Sequence, residues 1–152
     1  MNLKIRHHLN NLEMYDERHN KVAVVKGHVR LNCPWTAEEE GNSLTAKREG
    51  NGYVLSNGTG EIATATLHYI SDGEMFPPRI DSINVSTQAG NYSLNSIHGK
   101  YTAMHDGHSV GTVSIDPLGV DKCSFSDEVS LNTAVAMYIF ACFAMQDNMY
   151  EV

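Results

Sequence analysis

The sequence predicts a mainly β fold completed by one buried helix at the C-terminal end. Three observations predict it. Most of the chain alternates apolar and polar residues with a period of two. Turn-forming dipeptides interrupt that alternation at short intervals. After Phe125 the alternation stops and gives way to a continuous apolar run.

In chain order, Leu3, Ile5 and Leu9 alternate with Lys4, Arg6 and His8, which predicts a first strand with one buried and one wet face. Asp16 to Asn20 marks a turn. In "KVAVVKGHVRL" (21–31), Ala23, Val25, Gly27, Val29 and Leu31 fall on one face, and Lys26, His28 and Arg30 on the other. "TAEEEGNS" (36–43) reads as an exposed acidic loop. "EIATATLHYI" (61–70) repeats the strand pattern, with Ala63, Ala65, Leu67 and Tyr69 opposite Thr64, Thr66 and His68. Shorter strands follow from "SLTAK", "GYVLS", "SINVS", "NYSLN", "KYTAM", "SVGTVSI" and "KCSFS". Turns are expected at Asn57-Gly58, Asp72-Gly73, Gly90-Asn91 and Asp106-Gly107, and Pro77-Pro78 marks a loop. Many short strands at this spacing mean a barrel or a sandwich. No linker or low-complexity tract divides residues 1–152, so a single domain is expected.

The closing run, "LNTAVAMYIFACFAMQD" (131–147), is rich in Ala and Met and predicts a helix over 130–147, with Asp127 or Ser130 as N-cap. Thr133 to Met145 carries no charge, yet spans only about 20 Å as helix. A bilayer core is about 30 Å thick. Asp127, Glu128, Asp147 and Glu151 flank the run where an anchor would have Lys or Arg. A helix apolar on every side must be surrounded by protein if it is too short for lipid. No transmembrane segment is therefore expected, and the strands are the wrapper.

The chain has 152 residues, 41% hydrophobic and 19% charged, with a formal net charge of −7. That composition is globular. The acidic balance speaks against nucleic acid as partner, since phosphate neutralisation needs clustered Lys and Arg. Cys33, Cys123 and Cys142 lack metal-ligand spacing, and an odd number suits a reducing compartment. "MNLKIRHHLNNLE" has no hydrophobic signal core, so the Asn-x-Ser/Thr sequons at Asn57, Asn84 and Asn91 read as chance. The expected location is the cytoplasm, or its membrane surface if lipid is the ligand.

The order of strand pairs, polar turns and a single final helix resembles the tubby C-terminal-like superfamily, which includes tubby-like, LURP-one-related and scramblase-type proteins. The residues carrying the likeness are "MYDERHNKVAVVKG" (14–27), "YVLSNGTGEIATAT" (53–66), "YTAMHDGHSVGTVSI" (101–115) and "VSLNTAVAMYIFACFAMQD" (129–147). The resemblance implies a closed antiparallel barrel of about twelve strands around the helix. It covers nearly the whole chain but rests on pattern and order. The phosphoinositide-binding basic cluster of tubby proteins has no alignable equivalent here, nor do a Pro-rich N-terminal region or an EF-hand loop. Membrane activities are therefore not carried across residue by residue.

Enzyme signatures are sparse: no G-x-S-x-G elbow, Walker loop, H-E-x-x-H or paired C-x-x-C occurs. The glycines at Gly50-x-Gly52 and Gly58-x-Gly60 read as hairpin turns. His98, His105 and His108 flank Asp106, a set of metal-ligating type, but at an exposed turn with no assured third ligand. No metal or cofactor is expected. The binding residues singled out are Lys4, Arg6, Lys26, His28 and Arg30, on two cationic strand faces that would form one patch if the strands lie side by side. Such a patch would meet an acidic protein partner or anionic phospholipid head groups. The leading expectation is a non-catalytic binding or adaptor module working through its outer surface. The alternatives are a peripheral membrane protein and an enzyme using His98, His105 or Asp106. An interior filled by Met137, Tyr138, Ile139, Phe140 and Phe143 disfavours a carrier with a lumen.

Overall fold

A computed structural model describes residues 1–7, 11–26, 35–39, 42–57, 60–70, 79–97, 100–116 and 120–150. The chain forms one antiparallel sheet and one C-terminal helix. The strands are β1 (Asn2–His7), β2 (Asn11–Tyr15), β3 (Lys21–Lys26), β4 (Trp35–Glu39), β5 (Asn42–Glu49), β6 (Gly52–Asn57), β7 (Gly60–Ile70), β8 (Arg79–Thr87), β9 (Gly90–Ile97), β10 (Lys100–His105), β11 (His108–Ser114) and β12 (Asp121–Phe125), followed by α1 (Leu131–Tyr150). Each strand pairs with its neighbours in sequence. The first strand also pairs with the last, so β1 is hydrogen bonded to β2 on one side and to β12 on the other.

Alternation sets which face each residue joins. In β1, Leu3 and Ile5 are buried while Asn2, Lys4 and Arg6 are exposed; in β12, Asp121, Cys123 and Phe125 are buried while Lys122 and Ser124 are exposed. The Asp106-Gly107 turn has positive φ at both residues, 50° and 84°, as a tight hairpin with matching twist requires. At the β2–β3 turn, Asp16 Oδ1 accepts from the backbone N–H of Arg18 and of Asn20, both at 2.9 Å. Hydrogen bonds to the charged form, that from Asn20 foremost, hold the Asp16 carboxyl below its ordinary range.

Ser130 caps α1. Its Oγ accepts from the Thr133 N–H at 3.2 Å and its carbonyl accepts from the Ala134 N–H at 2.9 Å. Every residue from Thr133 to Ala144 is buried, which removes all faces of the helix from water at once. Strands far apart in sequence make the wrapping. From β6, Tyr53 packs against Phe140 and Phe143 with ring centroids 5.9 and 5.1 Å apart. From β12, Asp121 accepts from Tyr138. From β8, Ile80 bonds Asn148 through both its N–H and its carbonyl, at 2.8 and 3.1 Å. The small buried residues Ala46, Ala63, Ala65 and Ala103 on the strands let the helix approach. Burying each large side chain of α1 contributes about 1.5–3 kcal/mol. Among the described residues no helix is long and apolar enough to cross a membrane.

Several expectations change. Of "TAEEEGNS", expected as a loop, Thr36 to Glu39 belong to β4 and Asn42 and Ser43 open β5, with Thr36 opposite Thr45 and Glu39 opposite Asn42, because sheet pairing overrides an acidic composition; residues 40 and 41 lie outside the described residues. The turn expected at Gly90-Asn91 lies at Gln88-Ala89, and Gly90 opens β9 with φ 135°. The helix runs to Tyr150, three residues beyond the expected 147. The expectations for Leu9, His28 to Leu31, Asn57-Gly58 as a turn, Asp72-Gly73 and Pro77-Pro78 fall at least in part outside the described residues.

Candidate functional site

Lys4 and Arg6 stand exposed on the outer face of β1. Lys26 ends β3, and His28 and Arg30 lie outside the described residues. β1 and β3, the strand that Lys26 ends, are not side by side, because β2 lies between them. The intervening strand also places a carboxylate in the way. Glu13 is directly opposite Arg6 in register, sits 3.6 Å from Lys21 Nζ, and accepts from the Tyr15 hydroxyl at 2.5 Å. That hydrogen bond to Glu13 raises the Tyr15 pKa above its ordinary 10.0. Arg6 lies 5.5 Å over the Tyr15 ring, within cation–π range.

The cationic neighbour of β1 is on its other side. Pairing with β12 sets Lys4 directly opposite Lys122. Lys122 in turn faces Ser114 on β11, and Ser114 faces Lys100 on β10. Lys4, Lys122 and Lys100 are all exposed, and no ion pair joins any of them to a carboxylate among the described residues. Like charges directly opposite in an antiparallel pair are destabilising. "KCSFS" is expected only as a short strand, and Lys122 is not among the cations the sequence singles out. Only the pairing of the first strand with the last brings it beside Lys4, and no local pattern reports a contact across so much of the chain.

In the histidine group, His105 and His108 meet edge to face with ring centroids 6.3 Å apart, each with its own carboxylate. His105 donates from Nδ1 to the Asn91 carbonyl at 2.7 Å, stacks on Tyr92 at 4.4 Å, and turns Nε2 to Asp106 at 3.3 Å. His108 donates from Nε2 to Glu128 at 3.0 Å. The hydrogen bond to Glu128 raises the His108 pKa, and its counterpart lowers that of Glu128. Among the described residues no group of three or more His, Cys, Asp or Glu is placed to hold a metal. His98 lies outside them.

One cluster had no sequence signal. Arg48 on β5 reaches the C-terminal end of α1, pairing with Asp147 at 2.9 Å and Gln146 at 3.0 Å while lying 4.4 Å over the Phe143 ring. Tyr53 donates to Asp147 at 2.7 Å. Burial, reinforced by Asp147, pushes the Tyr53 phenol far up. With Arg48, Asp147 and Tyr53 satisfying one another, this cluster reads as a clamp on the helix end.

No family model matches the chain, and no curated protein is matched.

Proposed function

We propose that the sheet is a closed barrel plugged by α1, and that the chain is a non-catalytic binding module whose outer wall around Lys4, Arg6 and Lys122 takes an anionic partner. Closure is supported by β1 being paired on both sides. A plugged interior leaves the wall and the mouths as places for a ligand. The observation that carries the reading is the register match of Lys4 with Lys122. Two ammonium groups held opposite one another, with no ion pair to a carboxylate among the described residues, on a chain of net charge −7 keep a repulsion that an anionic ligand would relieve. The non-catalytic part is supported by His105, whose ring is occupied by Asn91, Tyr92 and Asp106 rather than poised against a nucleophile.

The test is retention on a sulfonate cation exchanger at neutral pH and low salt. A protein of this net charge flows through unless its cations are focused on one face. Wild type is expected to be retained, and Lys4→Glu combined with Lys122→Glu to flow through. Equal elution of the two proteins removes the proposal.

A further inference from the structure

Resting on the binding face proposed above, we infer that its partner is a flexible acidic polypeptide segment lying across the strands, along the row Lys100, Lys122 and Lys4. These residues share one level of the sheet. Lys100 faces Ser114, Ser114 faces Lys122, and Lys122 faces Lys4. The row crosses three strand spacings, about 14 Å at ~4.8 Å each. An extended chain covers that distance in about four or five residues. One compact anion does not reach from end to end.

Beyond Lys4 the row meets Tyr15 on β2, whose hydroxyl donates to Glu13, the carboxylate that stands opposite Arg6 and lies 3.6 Å from Lys21 Nζ. The row of cations thus stops at a tyrosine, and the carboxylate bonded to that tyrosine repels an acidic segment running further. Arg6, on the same face of β1 two residues along from Lys4, adds a cation beside the row's end.

Curvature decides between a peptide and a lipid surface. Three of twelve spacings in a closed ring turn the wall through about 90°. The Lys100 and Lys4 side chains then point in different directions, and a flat bilayer engages only the middle of the row. A flexible polypeptide follows the bend and meets every lysine. Nucleic acid is disfavoured, because a net charge of −7 repels a long phosphate chain extending past so short a row.

The experiment measures binding of fluorescein-labelled hexaglutamate and diglutamate by anisotropy at low salt, alongside sedimentation with vesicles one-third phosphatidylserine. Lys4→Glu, Lys122→Glu and Lys100→Glu are compared with wild type. All three positions are exposed, and thermal melting verifies that the variants fold. Hexaglutamate is expected to bind at least about tenfold tighter than diglutamate. Lys4→Glu and Lys122→Glu should each weaken both peptides. Lys100→Glu should weaken hexaglutamate alone. If hexaglutamate binds no better than diglutamate, or Lys100→Glu changes nothing, the segment is overturned while the face survives. Tighter binding to the vesicles than to hexaglutamate overturns it in favour of lipid. If Lys4→Glu and Lys122→Glu both bind as wild type, the face and the segment fall together.

Discussion

The hydroxyl of Tyr138 on α1 donates a hydrogen bond to Oδ2 of Asp121 on β12, with both residues shut away from solvent. Oδ1 of the same carboxyl accepts from the Asp116 N–H at 2.8 Å. One acidic side chain thereby ties the helix to the strand that pairs with β1. Removing the hydroxyl while keeping the ring leaves a buried acceptor short of a partner. Tyr138→Phe is expected to cost about 1–3 kcal/mol in urea denaturation. An unchanged midpoint would mean that water takes over the bond.

Phe143 lies between Tyr53 and Arg48, 5.1 Å from one ring centroid and 4.4 Å from the other's guanidinium. Truncation here creates a cavity and removes the surface that the cation covers. Phe143→Ala is expected to destabilise by about 3–5 kcal/mol. Arg48→Met keeps the stem but leaves Asp147 without its cation, and should cost less. The same denaturation series ranks the two, and the reverse order would place the weight of the clamp on charge.

His108 and Glu128 form an exposed pair whose two partners shift in opposite directions. Raised above the ordinary 6.5, His108 contributes stability below that pH and loses it as pH rises through its folded pKa. Lowered from 4.5, Glu128 contributes above that pH and loses it as pH falls through its folded pKa. The pair therefore acts most fully between about 4.5 and 6.5. An NMR titration should place the His108 pKa above 6.5 in wild type, and Glu128→Gln should bring it down. No change on that substitution would assign the shift to Asp106 instead.

Lys4→Glu tests the like-charge pair by stability as well as by binding. The substitution puts opposite charges face to face with Lys122. Melting is expected to rise by about 1–3 °C at low salt, with the gain shrinking as salt is added. A fall in melting temperature would show that Lys4 makes a stabilising contact of its own.

The strand faces were legible because burial is written locally. Alternation in "NLKIRH" separates Leu3 and Ile5 from Lys4 and Arg6 without knowledge of any partner strand. The Asp106-Gly107 turn was legible for the same reason, as a property of a few consecutive residues, whereas the sequence leaves the helix cap open between Asp127 and Ser130, and the Ser130 contacts to Thr133 and Ala134 decide it. Residues 36–39 differ from the loop expected there because their composition resembles a loop, while their strand state depends on pairing with β3 and β5.

The sequence by itself determined the mainly β character, the outward Lys4 and Arg6, and a terminal helix whose uncharged run is too apolar to face water and too short to cross lipid. These follow from the period of the side chains and from the length of one run. Only the tertiary structure decided which cations stand together, because the register of β1 against β12 joins residues from opposite ends of the chain. It separated the expected patch by inserting β2 and Glu13, and set Lys122 beside Lys4 in its place. It also placed Arg48 on Phe143 and Asp147. Contacts of that kind depend on how strands are ordered around the helix, which no short window of sequence encodes.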